Sequence, residues 1–127
     1  MPRLSDVMRR ELIEVAPEDT LGEVAERMSA ANVGAVVVKD YGRLIGILTE
    51  RDMLKAMAGR VHTSEARVRQ WMTEDPITAA TDTGVEEAAQ VMLDHGFRHL
   101  PVVDEGQVVG MVSLRRVVSA TQTAGAA

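Results

Sequence analysis

The sequence predicts an α/β (α+β) fold in which one β-α-β-β-α unit is used twice, and three observations predict it. The 127-residue chain matches itself without a gap when slid by 64 positions. Within each half the apolar pattern switches between helical and extended periods. Each half, at about sixty residues, is also too short to bury its apolar face alone. The two units are therefore expected to pack through their sheets with pseudo-twofold symmetry, leaving clefts where they meet.

The self-match rests on identities spread along the chain. Met8 falls on Met72, Ile13 on Ile77, Ala16 on Ala80, Glu23 on Glu87, Ala25 on Ala89 and Met28 on Met92. Val38 then falls on Val102, Asp40 on Asp104, Gly42 on Gly106, Gly46 on Gly110 and Arg51 on Arg115. Such a period is the mark of one supersecondary unit repeated.

In the first unit, Ile13-Glu14-Val15 reads as a short strand. Thr20 and Glu23 have the spacing of a capping box, in which hydroxyl and carboxylate satisfy free amides at a helix start. Leu21, Val24, Ala25 and Met28 follow at helical spacing. Gly34 to Val38 and Arg43 to Leu48 are apolar runs rich in β-branched residues, with turn chemistry between them at Asp40-Tyr41-Gly42. A second helix is expected from Thr49 through Met53, Leu54 and Met57. The second unit repeats this order. A strand is expected near Ile77, a helix over 83–95, strands over 99–103 and 107–112, and a last helix from Ser113. The repeats are expected over residues 1–60 and 66–120, with a linker over 61–65 and a flexible tail over 121–127.

Composition narrows the function classes. Apolar residues make up 46% of the chain and charged ones 26%, as in ordinary globular proteins. The net charge of −5 argues against a general nucleic-acid binder, and three aromatics (Tyr41, Trp71 and Phe97) make no stacking platform for single strands. The absence of cysteine excludes disulfides and thiolate chemistry. The N-terminus lacks the apolar run of a signal peptide, and no stretch reaches the length of a membrane span. A cytoplasmic location with no membrane partner is expected. The methionines at helical spacing read as core, and Trp71, which stands where the first unit has Val7, reads as packing between repeats or subunits.

The residues with chemistry lie where the third strand of the first unit meets its second helix, at Gly46-Ile47-Leu48-Thr49-Glu50-Arg51-Asp52. A hydroxyl at a helix N-terminus sits among free amides that favour an anion such as phosphate. A carboxylate one turn on can accept both hydroxyl protons of a ribose. Thr49 and Asp52 also fit a plain capping box, and the two roles are compatible.

With the duplicated unit, this motif resembles the CBS-domain family. The other marks are Phe97-Arg98-His99-Leu100-Pro101-Val102-Val103-Asp104 and the Met8 and Met72 that precede each first strand. The resemblance runs from about Leu4 to Ala120 and implies a stand-alone pair of CBS repeats with no catalytic, channel or transporter domain attached. It implies an adenosyl ligand (AMP, ADP, ATP, S-adenosylmethionine or NAD) between the repeats, with no covalent cofactor and no metal. One site matches the family pattern. Thr49 and Asp52, with Ile47, correspond to the ribose and phosphate contacts, and Pro76-Ile77-Thr78 to the strand flanking the base. Arg98, His99 and Arg115 correspond to positions approaching the phosphates.

The symmetric site departs from the pattern, because Arg116 stands where the ribose-binding Asp belongs. Its other members would be Leu12-Ile13-Glu14, Gly34-Ala35, Arg51 and Ser113, and it is expected to be weak or empty for nucleosides. Ser113, with no acidic partner at Arg116, reads as a plain N-cap. Arg116 is instead expected to add positive potential to the first site. Solvated arginines and a half-buried His99 are the plain alternatives to phosphate binding. The leading expectation is a ligand sensor, not an enzyme, that signals to an unidentified partner protein. The alternative is a ligand-independent homodimerisation or interaction module. A hydrolase using His99 and Asp52 lacks a metal triad or nucleophile elbow to support it.

Overall fold

Turn chemistry and caps place the elements almost identically in the two halves. The structure is a computed structural model that describes residues Pro2–Gly125. In chain order the elements are α1 (Leu4–Val7), β1 (Glu14–Val15), α2 (Leu21–Ala31), β2 (Ala35–Asp40), β3 (Arg43–Thr49) and α3 (Glu50–Ala58). Then come α4 (Val68–Trp71), β4 (Thr73–Glu74), β5 (Ala79–Ala80), α5 (Val85–His95), β6 (His99–Asp104), β7 (Gln107–Ser113) and α6 (Leu114–Gly125). The hairpins β2–β3 and β6–β7 turn through Tyr41-Gly42 and Glu105-Gly106, all four residues at positive φ between 50° and 79°. Two consecutive positive-φ residues match the twist of a tight antiparallel hairpin, and glycine takes the second position in both.

The chain forms two compact units, and each is closed by the segment that begins the other sequence repeat. The first unit is Ile13–Pro76; the second joins the N-terminal segment up to Leu12 to the chain from Ile77 onward. In the first, the sheet order is β1-β2-β3-β4, with β1 parallel to β2 and the other pairs antiparallel. In the second, β5 lies parallel to β6 and β6 antiparallel to β7. There Arg9 bridges Met111, at the place that Thr73 takes opposite Ile47 in the first unit.

The closing segments are held by matching bonds. In the second unit, the Leu4 and Ser5 amides donate to the carbonyls of Thr83 and Thr81, at 2.9 and 3.0 Å, and Val85 donates to the Pro2 carbonyl at 3.1 Å. In the first, Val68 and Arg69 donate to Asp19 and Pro17, both at 2.9 Å, and Leu21 donates to Ala66 at 3.0 Å. Each segment also contributes a fully buried apolar side chain. Leu4 joins Val85, Met92, Leu100 and Val112 in one core, and Val68 joins Leu21, Val24, Val36 and Leu48 in the other.

The paired glycines and methionines of the sequence meet here. A β-carbon on Gly46 would lie 2.8 Å from both the Met72 sulfur and the Thr73 carbonyl oxygen. On Gly110 it would lie 2.5 Å from the Met8 sulfur and 3.1 Å from the Arg9 carbonyl oxygen. Glycine on the third strand thus makes room for the thioether and backbone of the closing segment.

Several expectations are corrected. α1, α4 and β4 are absent from the sequence reading, because four- and two-residue elements carry no periodicity and depend on the tertiary bonds above. The strand expected near Ile77 begins at Ala79, where pairing with Val102 starts. Ile77 follows Pro76, which has no amide to donate, and Asp75, which turns at a φ of 45°. α5 begins at Val85 rather than Thr83, because the Thr83 hydroxyl instead accepts from the Ala80 amide at 3.2 Å. Residues 121–125 of the expected tail continue α6, with the Thr121 hydroxyl donating to the Val118 carbonyl at 2.7 Å, and no proline interrupts the run; residues 126–127 lie outside the described residues. Trp71, by contrast, does pack between the sequence repeats as expected, its ring 3.3 Å from where a Gly59 β-carbon would stand. Met57 is 66% exposed, unlike the buried Met8, Met28, Met92 and Met111.

Gly46→Ala should destabilise the protein by about 1–3 kcal/mol, the range for overpacking a filled site. Gly110→Ala should cost less, because the nearest atoms there belong to the movable end of Met8. Urea unfolding followed by far-ultraviolet circular dichroism checks the order, and equal costs would contradict it.

Candidate ligand site

In the first unit, β3 delivers Thr49 in extended conformation directly to the start of α3. The two ends of the Thr49–Asp52 pair cap each other. The Thr49 amide donates to Asp52 Oδ2 at 2.9 Å, and the Thr49 hydroxyl donates to the same oxygen at 3.1 Å. The Asp52 amide in turn donates to the Thr49 hydroxyl oxygen at 3.2 Å. The capping reading of this motif is therefore realised.

The cap uses one carboxylate oxygen only. Asp52 is 9% exposed, yet no buried side-chain oxygen among the described residues lacks a partner. Both bonds fall on Oδ2, so the cap leaves Oδ1 unused. A carboxylate anchored through one oxygen is a preorganised acceptor for hydroxyl protons.

The surrounding residues follow from the register. Ala35 pairs with Thr49 across β2 and β3, and the Glu50 amide donates to the Gly34 carbonyl at 2.9 Å. Ile47 is buried beside them and Arg51 is exposed. Glu50, which the sequence reading leaves out, joins Asp52 as a second acid in the first turn of α3, where negative charge suits the helix dipole. Ile13 lies half-buried just before β1 and accepts from the Val37 amide at 3.1 Å, while Pro76 closes the unit.

The equivalent end of the second unit has opposite chemistry. The Ser113 hydroxyl accepts from the Arg116 amide at 3.2 Å, so Ser113 is a plain cap, as expected. His99, half-buried, pairs with Ser113 across β6 and β7, and the Arg98 carbonyl accepts from the Leu114 amide at 2.8 Å. Arg98, Arg115 and Arg116 are all exposed, with the last two in the first turn of α6. Ile77 and Thr78 are exposed ahead of β5, and Leu12 ends the N-terminal segment of this unit half-buried.

The structure thus groups the expected residues by unit. Ile47, Thr49, Asp52 and Pro76, with Ile13, Gly34, Ala35 and Arg51, belong to the first. Ile77, Thr78, Arg98, His99 and Arg115, with Leu12, Ser113 and Arg116, belong to the second. Among the described residues no group of three or more His, Asp or Glu could hold a metal ion, and no helix is long and apolar enough to cross a membrane.

Fold and site define a tandem module in which the helix after the third strand of each unit starts on a hydroxyl cap. The CBS domain family matches residues 4–59 and 68–122, and the chain belongs to that family with two tandem repeats. It is 32% identical over 114 residues to the CBS domain-containing protein YhcV of Bacillus subtilis (strain 168), a match covering 90% of this chain and 81% of that protein. Its fold matches the CBS domain pair of protein MJ0100 in complex with 5-methylthioadenosine and S-adenosyl-L-methionine. That match has a TM-score of 0.87 and 26% identity, covering 97% of this chain and 98% of the other. It also matches the protein CBSX2 in complex with AMP, with a TM-score of 0.77, 26% identity and the same two shares of coverage.

Two cap substitutions separate folding from ligand chemistry. Ser113→Ala and Asp52→Ala should each lower stability by about 0.5–2 kcal/mol, the range for losing a helix-start cap. Denaturant midpoints of the two variants in ligand-free buffer check this, and an unchanged midpoint for Asp52→Ala would contradict the described cap.

Proposed function

We propose that the chain is a cytoplasmic regulatory module that binds an adenosyl ligand and passes the binding on to a partner protein by a conformational shift. The observation that carries this is the Asp52 carboxylate, which the Thr49 amide and hydroxyl fix through Oδ2 alone. Thr49 and Asp52 receive the ribose in this reading, with Ile47, Pro76, Ile77 and Thr78 beside the base. Arg98, His99 and Arg115 meet the phosphates. The AMP and S-adenosylmethionine complexes of the two similar folds support the ligand class. A ligand shifts a conformational equilibrium only by its difference in affinity for the two states, so the bound form must differ in a surface the partner reads.

Thermal denaturation against AMP, ADP, ATP, S-adenosylmethionine and NAD tests the reading. A ligand at a hundred times its dissociation constant should add about 2.7 kcal/mol and raise the midpoint by several degrees. The rise should disappear in Asp52→Ala. Asp52→Asn, which keeps an oxygen for the cap, should fold more stably than Asp52→Ala and still bind at least about tenfold more weakly than the wild type, because it offers one acceptor oxygen fewer to the ribose. No midpoint shift with any of the five compounds would overturn the proposal.

A second reading is self-association without a ligand. Leu54 and Met57, one turn apart on α3, are each 66% exposed, and Leu93 on α5 is 60% exposed. A second copy of the chain would remove this apolar surface from water. Sedimentation velocity should show a dimer that Leu54→Glu converts to monomer; a monomeric wild type would end this reading.

A further inference from the structure

The two closing segments are equivalent in sequence but not in how the chain attaches them. Residues 66–76 close the first unit from within, since Ile13–Pro76 is one continuous stretch. Residues 2–12 close the second unit from outside it, since the whole of the first unit lies between them and Ile77 in sequence. The linker before the internal segment is itself bonded into the first unit, where the Gly22 amide donates to the Thr63 carbonyl at 2.9 Å. The exit of that segment is fixed by Asp75, at a φ of 45°, and by Pro76. The N-terminal segment leaves its unit through Arg10, Glu11 and Leu12, which carry neither a proline nor a positive φ. The Arg10 guanidinium donates to the Ser5 carbonyl at 3.0 Å, a bond that stays within the segment.

The socket that this segment fills cannot stay empty. Leu4 and Met8 are buried in one core with Val85, Met92, Leu100 and Val112. Backbone bonds tie the segment to the stretch 81–85 and to Met111, where the Arg9 and Met111 amides donate to each other's carbonyls at 2.8 and 3.0 Å. Its removal would uncover apolar side chains and leave the edge of β7 unpaired at Met111. All of these contacts lie within the second unit, so the same segment of another copy can make every one of them. Exchange of an identical element keeps the contacts and alters only a few hinge residues, which makes it a low-cost route to a dimer.

We infer that residues 2–12 are an exchangeable strap, and that two copies of the chain form a dimer in which each completes the second unit of the other. Leu4 and Met8 of one copy enter the core of the other copy, and Arg10, Glu11 and Leu12 absorb the change of direction. The balance between closed monomer and exchanged dimer is set by protein concentration against the effective concentration of the tethered segment, on the order of millimolar. This dimer does not involve Leu54, Met57 or Leu93.

Arg3→Cys combined with Gly84→Cys tests the exchange, because the chain has no cysteine of its own. Arg3 and Gly84 are antiparallel bridge partners, and the Cα atoms of such partners lie about 4.5–5.5 Å apart, within disulfide reach. A β-carbon on Gly84 meets nothing within 4 Å, and its φ of −70° suits any residue, so the pair fits the fold. The double variant is refolded at micromolar and at millimolar concentration, oxidised, and run on a denaturing gel without reductant. Peptide mapping then shows that each bridge joins positions 3 and 84. Bridges within one chain should dominate at the low concentration and bridges between chains at the high one. Deleting Glu11, which shortens the hinge, should raise the share between chains, and inserting two glycines after it should lower that share. The unsubstituted chain should show a matching dimer in sedimentation velocity, and Leu54→Glu should leave that dimer in place. Bridges within single chains alone at millimolar concentration, with the hinge intact or shortened, would overturn the exchange. A dimer that Leu54→Glu abolishes and whose bridges all lie within single chains would overturn it too, because a surface contact would then hold the copies together.

Discussion

The seating of a methionine-bearing segment on the glycine of each third strand is the contact on which the structure depends. Met8 lies over Gly110 and Met72 over Gly46, and the same segments bring Leu4 and Val68 into the two cores. A repeat of about sixty residues has too little interior to stand alone. The closing segment supplies the missing apolar surface and satisfies backbone groups at the start of the long helix of the unit. Without a side chain on the glycine, backbone and thioether can approach together; one added carbon would separate them.

Duplication fixed this scaffold and left the helix starts free to diverge. Both units open the helix after the third strand on a hydroxyl cap, so both gain the same local stability from it. What differs is the residue three positions later. Asp52 completes the cap with its carboxylate as well as its amide, whereas Arg116 takes part in the Ser113 cap only through its amide. Folding and recognition are thus separable at this position, because the cap needs little more than the hydroxyl and a backbone N–H.

Much of this was legible in the sequence. The 64-residue period, the long helices, the hairpins and the Ser113 cap come from local pattern and turn chemistry, which act within a few residues. The Thr49–Asp52 pair was legible as both cap and ligand motif, and the structure shows the cap. The short elements α1, α4 and β4 were not legible, since each is held by amides and carbonyls far away in sequence. The exchange of closing segments was also hidden. Met8 and Met72 are visible as a repeated pair, but a repeat indicates which residues are equivalent and not which one each touches. For the same reason Trp71 could be read only as a packing residue, not as a neighbour of Gly59.

The closing of the second unit by Pro2–Leu12 sets an order on the birth of the molecule. Residues 2–12 are made before the residues they pack against. Leu4 must wait for Thr83, and Arg9 for Met111. The first unit is continuous in the chain and can close as soon as Pro76 is free. Leu4 and Met8 meanwhile lack their core until the second unit is made, and contacts spanning so much chain are slow to form. A segment made early is thus the piece that completes its unit late.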